Sequence, residues 1–109
     1  MSADVRRLHN RAMVYADEAR RVKMKGMERL AQAYYGTAYH SEIVAAHATP
    51  VEPSRGILYR SAAALACEAG LFHEALEAVD AGLAGAVADD IAMELREVRG
   101  RALLWMGSV

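Results

Sequence analysis

Two histidines and one cysteine are the side chains of this sequence best suited to chemistry. His40 and His47 are seven residues apart, so on one helix they share a face but lie about 10 Å apart along the axis, too far to bind one zinc ion. Cys67 lies between Ala66 and Glu68, a setting more typical of a small buried hydrophobe than of a nucleophile. The sequence contains neither a His-Glu-x-x-His metal motif nor a Gly-x-Ser-x-Gly elbow. We therefore expect no catalytic residue, metal site or cofactor, and no enzyme activity.

A group of polar and aromatic residues on both sides of a proline-containing segment is the candidate binding site. It consists of Tyr39, Glu42, Arg55, Tyr59 and Arg60. If the helices before and after the prolines pack antiparallel, Glu42 approaches Arg55 or Arg60 and the tyrosines border the same region. Two interpretations stay open: an ion pair that locks the loop, or a groove whose arginines bind a peptide, including its carboxylate.

The composition predicts that helices position these residues. The chain has 109 residues, of which 54 % are apolar and 23 are alanine, the residue with the highest helix propensity. The two prolines, Pro50 and Pro53, lie in one short segment, so long stretches on either side contain no helix breaker. We expect one all-α domain over residues 1–109, because the length does not provide for a second core.

Apolar residues at three- and four-residue steps predict five helices. In the first helix, residues 4–25, the stripe consists of Val5, Leu8, Ala12, Tyr15, Ala19 and Val22. Gly26 ends this helix, and Asp89 or Asp90 is the expected N-cap of the last one. The predicted arrangement is an antiparallel stack with a first helix pair over 4–48, a second over 53–84 and a capping helix over 89–106.

The two predicted helix pairs carry small and aromatic residues at matching positions. Aligning Gly26 with Gly70 places Ala31 opposite Ala75 and Ala38 opposite Gly82. The positions expected to pack between helices are Tyr15, Ala19, Gly26, Ala31, Tyr35 and Ala38 in the first pair, and Ala63, Gly70, Phe72, Ala75, Val79 and Gly82 in the second. This pattern resembles the tetratricopeptide repeat. The two glycines are 44 residues apart, whereas the standard repeat has about 34 residues, so the resemblance is to a variant of that family.

The resemblance implies a protein-interaction module that binds a protein or peptide partner in a groove between helix pairs. The segments 52–55 and 59–63 are also similar to a group of small uncharacterised bacterial proteins of this helical type. Trp105, close to the end of the last helix, has two interpretations: it seals the stack, or it marks a homodimer contact.

Charge is distributed unevenly along the chain. Residues 1–30 contain eight basic and four acidic residues, and residues 31–109 contain five and ten. A nucleic-acid-associated regulator that uses the basic first helix is therefore an alternative function, although the overall net charge of −1 makes nucleic acid an unlikely partner. The sequence contains no run of about 18 apolar residues, so we predict no membrane span. The first residues lack the apolar stretch of a signal peptide, so we expect a cytoplasmic protein.

Overall fold

The computed structural model describes residues 1–108, and five helices make up nearly all of them. The helices are α1 (Ala3–Met24), α2 (Glu28–His47), α3 (Ser54–Glu68), α4 (Phe72–Leu83) and α5 (Asp89–Met106). The predicted all-α fold with five helices is confirmed, and residues 1–108 contain no strand. None of these helices is both long enough and apolar enough to cross a membrane.

Two glycines in the left-handed conformation form the turns of the two helix hairpins. Gly26 has φ +80° and Gly70 has φ +77°, a conformation that a Cβ atom disfavours. After each glycine, a backbone N–H donates to a carbonyl five residues earlier: Met27 to Val22 at 3.1 Å, and Leu71 to Ala66 at 2.8 Å. This is the Schellman arrangement. The α1–α2 and α3–α4 connections therefore turn in the same way.

The helices form two layers. Each helix packs against the next one in the chain, and α5 also packs against α3. An ion pair of 3.3 Å between Lys23 on α1 and Glu68 on α3 links the first and third helices. The molecule measures 38 × 33 × 19 Å, and 19 Å is close to the thickness of two packed helices. We infer one layer of α1, α3 and α5 and another of α2 and α4.

Alanine occupies most of the fully buried positions between the helices. The fully buried alanines are Ala12, Ala19, Ala38, Ala45, Ala62, Ala63, Ala66, Ala75 and Ala102. At Gly82 even a methyl group does not fit, because a Cβ there would lie 2.9 Å from Leu95 Cδ1 and 3.1 Å from Tyr59 Cβ. Helices α3, α4 and α5 can pack this closely only because Gly82 carries no side chain.

Two local expectations require correction. In α1 the buried stripe includes Ala16, whereas Leu8 and Tyr15 are only partly buried. Alternating steps of three and four residues average 3.5 per turn, so over several turns they drift away from the buried face of a helix with 3.6 residues per turn. At the start of α5 the N-cap is Ala88 rather than Asp89 or Asp90. The Asp90 carboxylate instead accepts a hydrogen bond of 2.9 Å from the neighbouring Ile91 N–H.

Alanine at either turn glycine should destabilise the protein through backbone strain alone. A Cβ at Gly26 would meet nothing within 4 Å, and one at Gly70 would meet only Gln32, at 3.7 Å. We expect Gly26→Ala and Gly70→Ala each to lower the free energy of unfolding by about 1 kcal/mol. Urea denaturation measures this loss.

Gly36→Ala is the matched control, because Gly36 lies inside α2 and its Cβ would make an ordinary contact of 4.0 Å with Ala69. This substitution should raise the free energy of unfolding by about 0.5 kcal/mol. If the free energy of unfolding changed with the same sign in all three variants, the proposed role of the left-handed turns would be contradicted.

Candidate functional site: a groove along the third helix

The five residues predicted to form one binding cluster lie in four different surroundings. The expected ion pair between Glu42 and Arg55 or Arg60 is wrong. Glu42 contacts His9, Arg55 contacts Glu52 and Arg60 contacts Glu94. Among the five, Arg55 and Tyr59 are in direct contact, with the guanidinium 4.9 Å from the ring centroid. A shared role of these residues in partner binding stays a prediction.

Glu42 is a completely buried carboxylate whose hydrogen-bond partner is a histidine on another helix. Its side chain is 0 % exposed, and both carboxylate oxygens lie 3.0 Å from His9 Nδ1. The contact joins α1 to α2 because His9 follows buried Val5 by four residues and Glu42 follows buried Ala38 by four. Sequence analysis missed His9, although this i, i+4 spacing from Val5 was the available signal.

Arg55 stabilises the end of α4. Its guanidinium donates to the backbone carbonyls of Ala81 and, at 3.2 Å, Gly82. It also forms an ion pair of 3.1 Å with Glu52 in the preceding loop. The last carbonyls of a helix have no partner within the helix, and a cation there also interacts favourably with the helix dipole. These contacts make Arg55 a structural residue.

Tyr39 and Arg60 have different neighbours in the fold. Tyr39 is buried on α2, and desolvation, followed by the nearby carboxylates of Glu74 and Glu77, raises the pKa of its hydroxyl. Arg60 on α3 donates to Glu94 on α5 at 2.6 Å and lines an open depression between these two helices. Arg60 thus borders a cavity of about 680 Å³.

The depression beside Arg60 is part of a longer groove that follows α3. It has a volume of about 680 Å³ and lies between α3 and α5. A second depression of about 330 Å³ shares Ser61, Ala64 and Arg101 with it and extends to α1. A third, of about 230 Å³, shares Tyr35 and Glu68 with the second and reaches the α3–α4 turn. We call the three together the α3 groove.

The α3 groove has small residues on its floor and charged residues along its rims. Ser61 and Ala64 provide the floor, which leaves space above α3. Arg20 and Arg101 border the middle, while three acidic residues border the α5 end: Asp90, Glu94 and Glu97. Along α5 the rim therefore changes from acidic at Asp90, Glu94 and Glu97 to basic at Arg101, while residues of both signs line the rest of the groove: Arg60, Lys23, Glu28 and Glu68.

Trp105 lies at the far end of the α3 groove. It lines the third depression with Phe72 and Tyr35, and its ring is 5.8 Å from the Arg101 guanidinium. Its side chain is 36 % exposed. The aromatic cluster at this end was not predicted, because Tyr35 and Phe72 were interpreted only as packing residues.

The histidines and the cysteine singled out for chemistry are separated in the fold. His40 and His47 are exposed, beside Tyr39 and Tyr59 respectively. Cys67 is buried, and desolvation raises the pKa of its thiol, which lowers the fraction of reactive thiolate. No group of three or more potential metal ligands occurs within residues 1–108.

The basic residues of α1 are largely neutralised by neighbouring acids. Arg7 pairs with Asp4, Arg20 with Asp17, Arg21 with Glu18 and Lys23 with Glu68. Four of the six basic residues of α1 are thus in ion pairs, which reduces the local potential available to attract phosphate groups.

Comparisons with protein family models, with curated proteins and with solved structures give no match to this chain. The interpretation of the site therefore depends on its own geometry and chemistry.

Removing His9 should leave a buried carboxylate without its hydrogen-bond partner. We expect His9→Ala to lower the free energy of unfolding by about 2–3 kcal/mol, because an unpaired buried charge carries its full desolvation cost. Chemical denaturation at neutral pH measures the loss. His73→Ala, at an exposed histidine, should change stability by less than about 0.5 kcal/mol.

The double variant His9→Ala/Glu42→Met tests the cause, since methionine fills a similar volume without charge. It should be more stable than His9→Ala alone. If the double variant is instead less stable than the single one, the burial of an unpaired carboxylate is not the origin of the loss.

Arg55 and Arg60 should differ in their contribution to stability. We expect Arg55→Ala to lower the free energy of unfolding by about 1–2 kcal/mol, because it removes the hydrogen bonds to the end of α4. Arg60→Ala should cost less than about 1 kcal/mol, since its partner Glu94 is 46 % exposed. Denaturation gives both values, and amide hydrogen exchange should show faster opening of residues 80–84 only for Arg55→Ala. Equal losses in the two variants would refute the structural role of Arg55.

Proposed function

We propose that the protein is an interaction module that binds a peptide segment of another protein in the α3 groove. The observation that carries this proposal is the continuity of the three depressions, which share lining residues along α3 and are also bordered by α1, α2 and α5. No catalytic group is part of the proposal.

The dimensions of the α3 groove suit an extended peptide. The residues of α3 and its turn that line the groove run from Arg60 to Gly70, which is roughly 15 Å at 1.5 Å per residue. An extended chain advances about 3.3 Å per residue, so about four or five residues of a partner can lie along α3. The small floor residues Ser61 and Ala64 allow the partner backbone to approach the helix closely.

The charges along the rims predict the polarity of the bound peptide. Acidic side chains or a terminal carboxylate should lie beside Arg101, whose guanidinium forms no ion pair with another residue in 1–108. Basic side chains should lie near Asp90 and Glu97 at the α5 end. This polarity gives orientation and specificity more than it gives affinity.

The tetratricopeptide-like arrangement belongs to the same proposal. Its support is the matching of the two hairpins: both have a left-handed glycine turn, at Gly26 and Gly70. Both also have a buried alanine five residues later, at Ala31 and Ala75. Small residues at such positions let paired helices pack closely enough to stack into an extended binding surface.

A substitution on the floor of the α3 groove tests the proposed function. Ala64→Trp should fill the space shared by two depressions while leaving the fold intact, because Ala64 is only partly buried. Peptides selected from a random display library on the wild-type protein should bind it and lose at least about tenfold in affinity for Ala64→Trp, as measured by fluorescence anisotropy.

Ala33→Trp is the matched control, since Ala33 is an exposed alanine on α2; it should bind the selected peptides as the wild type does. Selection of no peptide that distinguishes Ala64→Trp from Ala33→Trp would overturn the proposal. Binding of labelled duplex DNA at low salt that falls steeply as salt increases would favour the nucleic-acid alternative instead.

A further inference from the structure

One face of α5 carries an exposed apolar residue at each end, and its first half borders the α3 groove. Met93 is 58 % exposed and Leu104 is 69 % exposed. Between them lie exposed Glu97 and Gly100, and a Cβ at Gly100 would meet nothing within 4 Å. We call these four residues the α5 outer stripe. The buried face of α5, which includes Leu95 and Val98, points to the opposite side, against the rest of the fold.

The spacing of the α5 outer stripe is that of a helix–helix seam. Successive members are four, three and four residues apart, which is the a/d spacing of a coiled coil. In a parallel pair each residue would meet its own copy, so Glu97 would face Glu97. In an antiparallel pair Met93 faces Leu104 of the second copy at both ends. Glu97 then faces Gly100 of the second copy, where space is available. The antiparallel pair instead offsets the two Glu97 residues by three positions, about 4.5 Å along the axis.

The charges beside the stripe are complementary in the same antiparallel register. Glu97 and Arg101 form no ion pair with another residue in 1–108, and both border the side of α5 that faces the α3 groove. With Met93 opposite Leu104, Arg101 of one copy lies within about one residue of the level of Glu97 of the other, an axial offset of about 1.5 Å. Two-fold symmetry produces this pair twice.

We propose that the protein forms a symmetric homodimer through antiparallel packing of the α5 outer stripe. A second copy fits this face because one short stripe supplies both halves of each contact: Met93 with Leu104, and Glu97 with Arg101. The interface does not include Trp105, which lies in the α3 groove. A two-fold axis between the α5 helices leaves both α3 grooves on the same side of the dimer, so the two peptide sites are adjacent.

Sedimentation equilibrium of the full chain tests the dimer. The wild type should sediment with twice its chain mass of 11.8 kDa. Leu104→Glu should raise the dimer dissociation constant at least about 100-fold, because the symmetric interface loses two apolar contacts and gains two charges. Val14→Glu is the control: Val14 is 67 % exposed on α1, and the variant should remain dimeric. Circular dichroism checks that both variants are folded.

A charge exchange tests the antiparallel register. Glu97→Arg alone and Arg101→Glu alone should each weaken the dimer about tenfold, and the double variant Glu97→Arg/Arg101→Glu should recover wild-type association. A monomeric wild type at millimolar concentration, or equal dissociation by Leu104→Glu and Val14→Glu, would overturn the proposal. Failure of the double variant to recover would overturn the register. None of these results depends on peptide binding, because sedimentation is measured without peptide, and Leu104 is not among the residues that line the α3 groove.

Discussion

Close approach of helices through small side chains is the constraint on which the rest of this structure depends. Alanines occupy most of the fully buried positions, and Gly82 replaces a side chain altogether where α4 meets α3 and α5. Close packing gains dispersion energy from many backbone contacts, but each buried alanine removes little apolar surface from water. The core therefore buries little apolar surface for its number of residues. Contacts outside the core become more important for holding the helices in their relative positions.

Polar contacts between different elements provide this register, and Arg60 with Glu94 and Arg99 with Asp80 join α5 to α3 and α4. His9 with Glu42 joins α1 to α2, Lys23 with Glu68 joins α1 to α3, and Arg55 joins the proline-containing loop and α3 to the end of α4. The exposed Lys23 pair contributes little free energy. The contact of Glu42 with His9 constrains the fold more strongly, because any arrangement of α1 and α2 that separates the fully buried carboxylate from its partner is destabilised. Polar groups thus specify the helix positions that alanine packing leaves undetermined.

The sequence was sufficient for the fold class and insufficient for the site. Helical spacing, alanine content and the glycine turns are local properties, so the five helices were predicted to within about two residues at each end. Which side chains meet across helices depends on rotation of each helix about its axis, and an error of one residue is a rotation of 100°. That sensitivity explains why Glu42 was assigned to Arg55 or Arg60 instead of His9. It also explains why Arg60 was predicted beside Arg55, although the two side chains contact different helices.

The position of α5 connects the two faces on which binding is proposed. Its buried face closes the stack against α3 and α4, and one edge borders the α3 groove together with Met93 and Glu97 of the outer stripe. Arg101 borders both the α3 groove and the outer stripe, so its charge is available to a peptide carboxylate and to Glu97 of a second copy. If both proposals hold, a carboxylate bound at Arg101 competes with the intermolecular pair of Glu97 and Arg101. Peptide binding then weakens dimerisation by the same free energy by which dimerisation weakens peptide binding. A tightly dimerised protein should then prefer peptides whose acidic group lies nearer Arg20 than Arg101.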